Sequence, residues 1–268
     1  MEIINNILLG LVEGITEFLP ISSTGHLILT KSLLGLTENT VNRQLIIIQG
    51  AAILAVCWHY RLRLWNTACT LKNNRASRIL VTNVFIAFFP LACLGLILGE
   101  KIERFLFSPI PVALALVIGG VLMLWVETKV HLEKICTIDQ IKPIDALKIG
   151  LFQAVALVPG TSRAAATILG GLLTNLSRHT ATEFSFFVAI PTLLAATIYK
   201  LFKARAILST TEIDALIISS AVAFISALVT IRWLLKFVAQ HSFAGFAWYR
   251  IIFGGVILVT WQLGWVRW

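Results

Sequence analysis

Of the 268 residues, 58% are hydrophobic and only 13% are charged, with a mean hydropathy of +0.88. A soluble domain carries about 25% charged residues, so half that share cannot cover a water-facing surface, and lipid is the expected solvent. The net charge of +9 sits largely in short connections between apolar segments, which fits lipid headgroups and membrane topology and argues against nucleic acid as a partner.

The first apolar stretch, residues 3–34, fails as a membrane span because it contains Glu13, Glu17, Pro20, Ser22, Ser23, Thr24, Gly25 and His26. A helix-like start, a polar break and a second short apolar run predict a re-entrant hairpin. Irregular backbone is tolerated at membrane depth only inside protein or beside a water-filled cavity. Glu13 and Glu17 are four residues apart, on one helix face. A carboxylate in a membrane segment costs at least about 2.5 kcal/mol by insertion scales. Two neighbours also repel, so the pair calls for a proton or a hard divalent cation such as Mg²⁺ or Ca²⁺; a shallow, solvated hairpin is the alternative. Ser22, Ser23 and Thr24 are candidate caps of the next helix, whose N–H groups favour anions. His26 lies three residues after Ser23, a candidate base for that hydroxyl.

Six full spans are expected, at roughly Leu45–Tyr60, Ile79–Gly99, Pro109–Val126, Phe184–Leu201, Ala215–Leu235 and Ala247–Trp265. Tryptophans near many of their ends suit an interfacial belt. Between the third and fourth spans, residues 149–173 repeat the hairpin pattern with Gln153, Pro159, Gly160, Thr161, Ser162 and Arg163. An arginine amid an apolar hairpin needs an anion. Its planar fork suits phosphate oxygens, although a salt bridge to Glu13 or Glu17 would serve structurally. The cysteines Cys57, Cys69, Cys93 and Cys136 form no CxxC pair and read as small apolar fillers. With no basic residue before Lys31, no cleavable signal peptide is expected.

Pro20-Ile-Ser-Ser23 aligns with Pro159-Gly-Thr-Ser162, and the same offset places Gln44 on Glu183 and Tyr60 on Tyr199. The reading is one membrane domain, 1–268, built from halves 1–127 and 145–268. Each half holds a hairpin plus three spans, and an odd span number makes the second half inverted. The fold class is therefore all-α integral membrane: about six transmembrane helices plus two re-entrant helical hairpins in an inverted-topology repeat. One face collects twelve basic residues, Arg61, Arg63, Lys72, Arg75 and Arg78 among them, against eight on the other, including Arg43, Lys203, Arg205 and Arg267. The richer face is expected to be cytoplasmic, which puts both termini and the mouth of the first hairpin outside.

Acids, hydroxyls, an imidazole and a guanidinium in an apolar frame are the components of phosphoryl transfer. There is no Walker A loop and no GxGxxG after a strand, so an NTPase or a dehydrogenase is unsupported. An inverted repeat with broken helices is also a transporter architecture. A lipid-phosphate transporter therefore stands as the alternative, and a binding-only relative as a weaker third reading.

The stretch Glu13-Gly-Ile-Thr-Glu17-Phe-Leu-Pro-Ile-Ser-Ser-Thr-Gly-His26 resembles, without a gap, the signature of the undecaprenyl-diphosphate phosphatase family, also called bacitracin resistance proteins. Pro159-Gly-Thr-Ser-Arg163 resembles the family's second motif, Glu183-Phe-Ser-Phe-Phe is family-like, and the likeness covers essentially the whole chain. The resemblance implies hydrolysis of undecaprenyl (C55) diphosphate to the monophosphate in the bacterial inner membrane. It also implies a site open to the periplasm, dependence on a divalent cation and a homodimer. The family's functional positions fall on Glu13, Glu17, Ser22, Ser23, His26 and Arg163. One departure is Ala164-Ala165, where the family usually has a serine and a glycine. The expected roles are Ser23 as nucleophile with His26 as its base, Glu13 and Glu17 as metal ligands, Arg163 as charge clamp, and Ser22, Thr24, Thr161 and Ser162 as substrate contacts. Direct attack by cation-bound water is a variant.

Overall fold

The computed structural model describes residues 2–36, 38–129, 134–204 and 210–265, without the side chains of Glu2, 38–46, Glu103, 203–204 and 210–212. The expected match of Gln44 to Glu183, and the side chains of Arg43, Lys203, Arg205 and Arg267, lie outside this set. Eleven α-helices follow one another among the described residues: α1 Glu2–Thr16, α2 Ser23–Leu33, α3 Glu38–His59, α4 Arg61–Thr70, α5 Arg75–Leu106, α6 Pro109–Glu127, α7 Pro143–Ala154, α8 Arg163–Leu173, α9 Arg178–Ala204, α10 Thr210–Val238 and α11 Ala244–Gln262.

Five helices (α5, α6, α9, α10 and α11) are long and apolar enough to cross a membrane, and each covers one expected span. The remaining expected span is α3, which has 22 residues and is apolar over Ile47–His59. Residue placement is inverted relative to a soluble protein. Phe89, Leu96, Ile97, Ile118, Val229 and Ile252 are exposed, whereas Asn83, Gln153, Thr182, Ser219 and Arg250 are buried. Polar groups turned inward and apolar groups turned outward are stable only in lipid. The chain is a multi-pass, all-α membrane protein.

The helices of both hairpins are too short to cross. At 1.5 Å per residue, α1 is about 22 Å long and α2 and α8 about 16 Å, against a hydrocarbon core of about 30 Å. Pro143 opens α7 at its first turn, so the second hairpin starts earlier than the apolar run suggests. The basic connection after α3 is itself helical: α4 exposes Leu62 and Trp65 beside Arg61, a pattern that lies along an interface.

Packing is reciprocal. The hairpin helix α1 lies chiefly on the late helix α10, and the hairpin helix α7 lies chiefly on the early helix α5. The α6 helix pairs with α11, and α3 packs on both α9 and α10. Lipid supplies no hydrophobic drive between helices, so small residues that admit close approach carry these contacts. A Cβ on Gly14 would stand 2.4 Å from the Ala223 carbonyl oxygen, and one on Gly150 2.6 Å from that of Ala87. Each hairpin is thus pressed through a glycine against a helix distant in sequence, and its tip is carried into the protein interior.

Candidate active site

The two tips are built alike. Ser22 precedes α2 with φ 73°, and Ser162 precedes α8 with φ 68°. Each serine hydroxyl accepts from the amide three residues on, Gly25 N at 3.5 Å and Ala165 N at 3.2 Å. A left-handed non-glycine residue costs of order 1–3 kcal/mol and persists where surrounding structure enforces it. Here the strained turn starts a helix at the tip, so that the next residue, Ser23 or Arg163, projects from the first turn.

Those two projecting residues converge on Glu17. The Ser23 hydroxyl donates to Glu17 Oε2 at 2.6 Å, and Arg163 Nη2 donates to Glu17 Oε1 at 3.0 Å. The Arg163 and Glu17 side chains are 8% and 5% exposed, so the ion pair joining the hairpins is cut off from bulk solvent. Arg163 Nη1 reaches the carbonyl and hydroxyl oxygens of Ser185 on α9 at 3.3 and 3.5 Å. The Ser185 hydroxyl is in turn 2.6 Å from that of Thr167. Arg163 Nε is buried with no partner, leaving one donor of the fork for a ligand.

Glu13 lies one turn before Glu17. It is buried, and neither of its carboxylate oxygens has a hydrogen-bond partner. An unpartnered carboxylate in a low-dielectric interior is costly, and a hard cation is one group that would satisfy it. The residues present therefore fit a divalent ion, with Glu13 as its available protein ligand. Both oxygens of Glu17 are already engaged, and the described residues hold no cluster of three or more His, Cys, Asp or Glu for a metal. Further ligands would have to come from elsewhere, such as phosphate oxygens.

His26 is directed away from this group. Its Nδ1 is 2.7 Å from the Ser22 carbonyl and its Nε2 is 2.6 Å from the Tyr249 hydroxyl. The imidazole stacks on Phe253, ring centres 4.1 Å apart. With one nitrogen donating to a carbonyl, the other is left to accept from Tyr249. Among the hydroxyls, Ser22 and Ser162 act as caps, while Thr24 and Thr161 are partly exposed at the tips. An apolar cavity of about 380 Å³ opens beside His26, lined by Ile15, Leu19, Trp233, Phe246 and Tyr249 among others.

Three residues carry contacts that the sequence did not assign. Ser185 falls in the family-like stretch Glu183-Phe-Ser-Phe-Phe, which gave it no role, and Tyr249 is ordinary on a helix face; only the fold brings them in. Arg250 gave a signal in the sequence, a cation inside the span Ala247–Trp265. It is wholly buried and donates only to backbone carbonyls: Pro20 and Thr161 from Nη1, Gly160 and Ala115 from Nη2, and Leu116 from Nε.

Fold and site together define an integral membrane protein in which two short hairpins enclose a hydroxyl–carboxylate–guanidinium group suited to phosphate. The chain belongs to the bacitracin resistance protein family: residues 6–256 match the family model described as Bacitracin resistance protein BacA. It is 50% identical over 262 residues to a protein of Dechloromonas aromatica named undecaprenyl-diphosphatase, covering 98% of this chain and 96% of the relative. It is 52% identical to undecaprenyl-diphosphatase 2 of Rhodospirillum rubrum, with 97% and 96% covered. A third relative, undecaprenyl-diphosphatase of Pseudomonas putida, is 48% identical, with 98% and 95% covered.

Proposed function

We propose that this chain hydrolyses undecaprenyl diphosphate to undecaprenyl phosphate and inorganic phosphate. In doing so it would recycle a lipid carrier for cell-wall synthesis and confer resistance to bacitracin. Family membership and the names of the relatives support the substrate. The observation that carries the chemistry is the contact of Ser23 and Arg163 with opposite oxygens of one buried carboxylate.

In this reading the Ser23 oxygen attacks the terminal phosphorus. Its proton passes to Glu17 Oε2, the bond from that phosphorus to the bridging oxygen breaks, and undecaprenyl phosphate departs. Glu17 hands that proton on to the departing undecaprenyl phosphate and is again a carboxylate. Water then attacks the phosphoserine, giving its proton to Glu17, and phosphate leaves as Glu17 returns that proton to the Ser23 oxygen. Arg163, fixed by Glu17 and Ser185, presents Nε to the phosphoryl oxygens as charge develops. Glu13 would hold a Mg²⁺ or Ca²⁺ ion, with Glu17 kept for Ser23 and Arg163, and the ion would supply positive charge to the diphosphate oxygens. Glu17 replaces His26 as the base in this account, because it is Glu17 that receives the Ser23 hydrogen bond. Ser22 and Ser162 shape the tips, and Thr24 and Thr161 border the space left for the phosphates.

The same reading takes halves 1–127 and 145–268 as an inverted repeat, which the paired serine caps and reciprocal packing support. It places the protein in the bacterial inner membrane with the site open to the periplasm, as the basic-residue bias favours, and as a homodimer. Phosphate release from C55 diphosphate by purified protein, with Mg²⁺ and with EDTA, tests it. Release that Ser23→Ala and Arg163→Ala abolish is expected. Folded wild-type protein that binds the lipid but releases nothing would overturn it in favour of transport.

A further inference from the structure

Arg250 has an environment unlike that of Arg63, Arg163 and Arg178, each of which meets a carboxylate. Arg250, 0% exposed, meets five carbonyl oxygens. Two of those, Leu116 and Ala115, belong to α6, the partner helix of α11. The other three belong to the two hairpin tips: Pro20, three residues before Ser23, at 3.1 Å, and Thr161 and Gly160, just before Arg163, at 2.9 and 3.4 Å.

A single nitrogen, Nη1, therefore donates to both tips at once. Its bonds to Pro20 and Thr161 fix the spacing of two chain segments that are otherwise anchored on different helices. Space for the guanidinium comes from α6, where a Cβ on Gly119 would lie 2.2 Å from Nη2. At Gly160 the backbone has φ +93° and a Cβ would lie 2.5 Å from the Val112 carbonyl oxygen, so that carbonyl is presented by a turn only glycine makes readily.

We propose that Arg250 is a positioning residue: it ties the two tips together so that Ser23 and Glu17 of one hairpin stay in line with Arg163 of the other. Only a planar, permanently charged fork donates along several directions to carbonyls of three segments. A lysine has three donors at one point and cannot reproduce the bridge. The guanidinium touches neither Ser23 nor Glu17 and acts on the reaction only through the tips. The catalytic part of this assignment rests on the phosphatase reading, while the tip-bridging part stands apart from it.

The test pairs turnover with a distance. Arg250→Lys and Arg250→Met are compared with wild type for kcat and KM on C55 diphosphate, normalised to folded, monodisperse protein. Nitroxides at residues 24 and 161, placed in a cysteine-free background, report the tip separation by dipolar broadening. The expected result for Arg250→Lys is a kcat lower by about 100-fold, the cost of an ångström-scale misplacement, with KM within about threefold and broadening reduced. Arg250→Met should lose more of both. Gly119→Ala, which displaces the guanidinium while keeping all of its donors, should lower kcat in the same direction. Unchanged broadening in folded Arg250→Lys overturns the bridge. Unchanged kcat with altered broadening overturns the catalytic role. If either substitution yields no folded protein, Gly119→Ala decides in its place, with unchanged kcat and broadening counting against the proposal. Failure of wild type to release phosphate would sink the phosphatase reading and leave the broadening to decide the bridge.

Discussion

Ser23 and Glu17 share a 2.6 Å hydrogen bond within one hairpin, while Arg163 of the other hairpin holds the second oxygen of the same carboxylate. Glu17 thus accepts from the hydroxyl and from the cation at once. If it is the base, Glu17→Gln, which keeps size and hydrogen bonding, should lower kcat by about 10²–10⁴ with little change in KM. The Glu17→Gln/Ser23→Ala double variant should be no slower than Ser23→Ala alone, because residues acting as a unit are not additive. Single-turnover assays on all three variants check this. Multiplicative losses would show that the two groups work separately.

His26 is placed differently from the base that its position after Ser23 suggested. Its Nδ1 faces the Ser22 carbonyl, so it supports the strained turn from which Ser23 projects. An asparagine amide has a donor to offer that carbonyl and an alanine has none. His26→Asn should therefore be about tenfold more active than His26→Ala, the worth of roughly one hydrogen bond. Steady-state kinetics on the two variants settles the order. Equal and near-complete loss, together with loss of a pH limb in the rate, would restore His26 as the base.

These outcomes separate what the sequence discloses from what it hides. Glu13, Glu17, Ser23 and Arg163 were legible because each is polar in an apolar run, and burial at membrane depth has few structural explanations. The two hairpins were legible for the same reason. The partners of these residues were not. Whether Ser23 faces Glu17 or His26 depends on a tip turn whose φ of 73° at Ser22 has no one-letter signature. Ser185 is a lone serine on α9, and its role exists only because α8 packs there. The helix α4 was hidden because its basic residues read as a connection. Arg250 is legible as a cation inside an apolar span, but its carbonyl partners on three separate segments exist only in the fold.

Glu13 leads to a prediction about metal dependence. Both its oxygens are buried and unpartnered, whereas those of Glu17 are taken. EDTA should abolish phosphate release, and Mg²⁺ or Ca²⁺ should restore it. Glu13→Gln should raise the cation concentration for half-maximal activity by at least tenfold, since even outer-shell changes cost metal sites that much. Cation titrations of purified protein give the answer. Full activity in EDTA would remove the ion from the site and leave Glu13 to be neutralised by a proton.

Arg163 tests whether fork geometry or charge alone carries the second hairpin's contribution. Nη2 is spent on Glu17 and Nη1 on Ser185, which leaves Nε, buried and unpartnered, for a phosphoryl oxygen. Lysine keeps the charge but reaches only one of these directions. Arg163→Lys should therefore lose about 10²–10³ in kcat, the usual cost of removing a transition-state donor. Ser185→Ala, which leaves Nη1 with the residue-185 carbonyl alone and the Thr167 hydroxyl with its helix carbonyls alone, should lose about tenfold, one hydrogen bond's worth. Because Ser185 acts only through Arg163, its substitution in the Arg163→Lys background should cost almost nothing further. Turnover numbers for the two single variants and the double variant test that coupling; full additivity would mean that Ser185 contributes to the site by a route independent of Arg163.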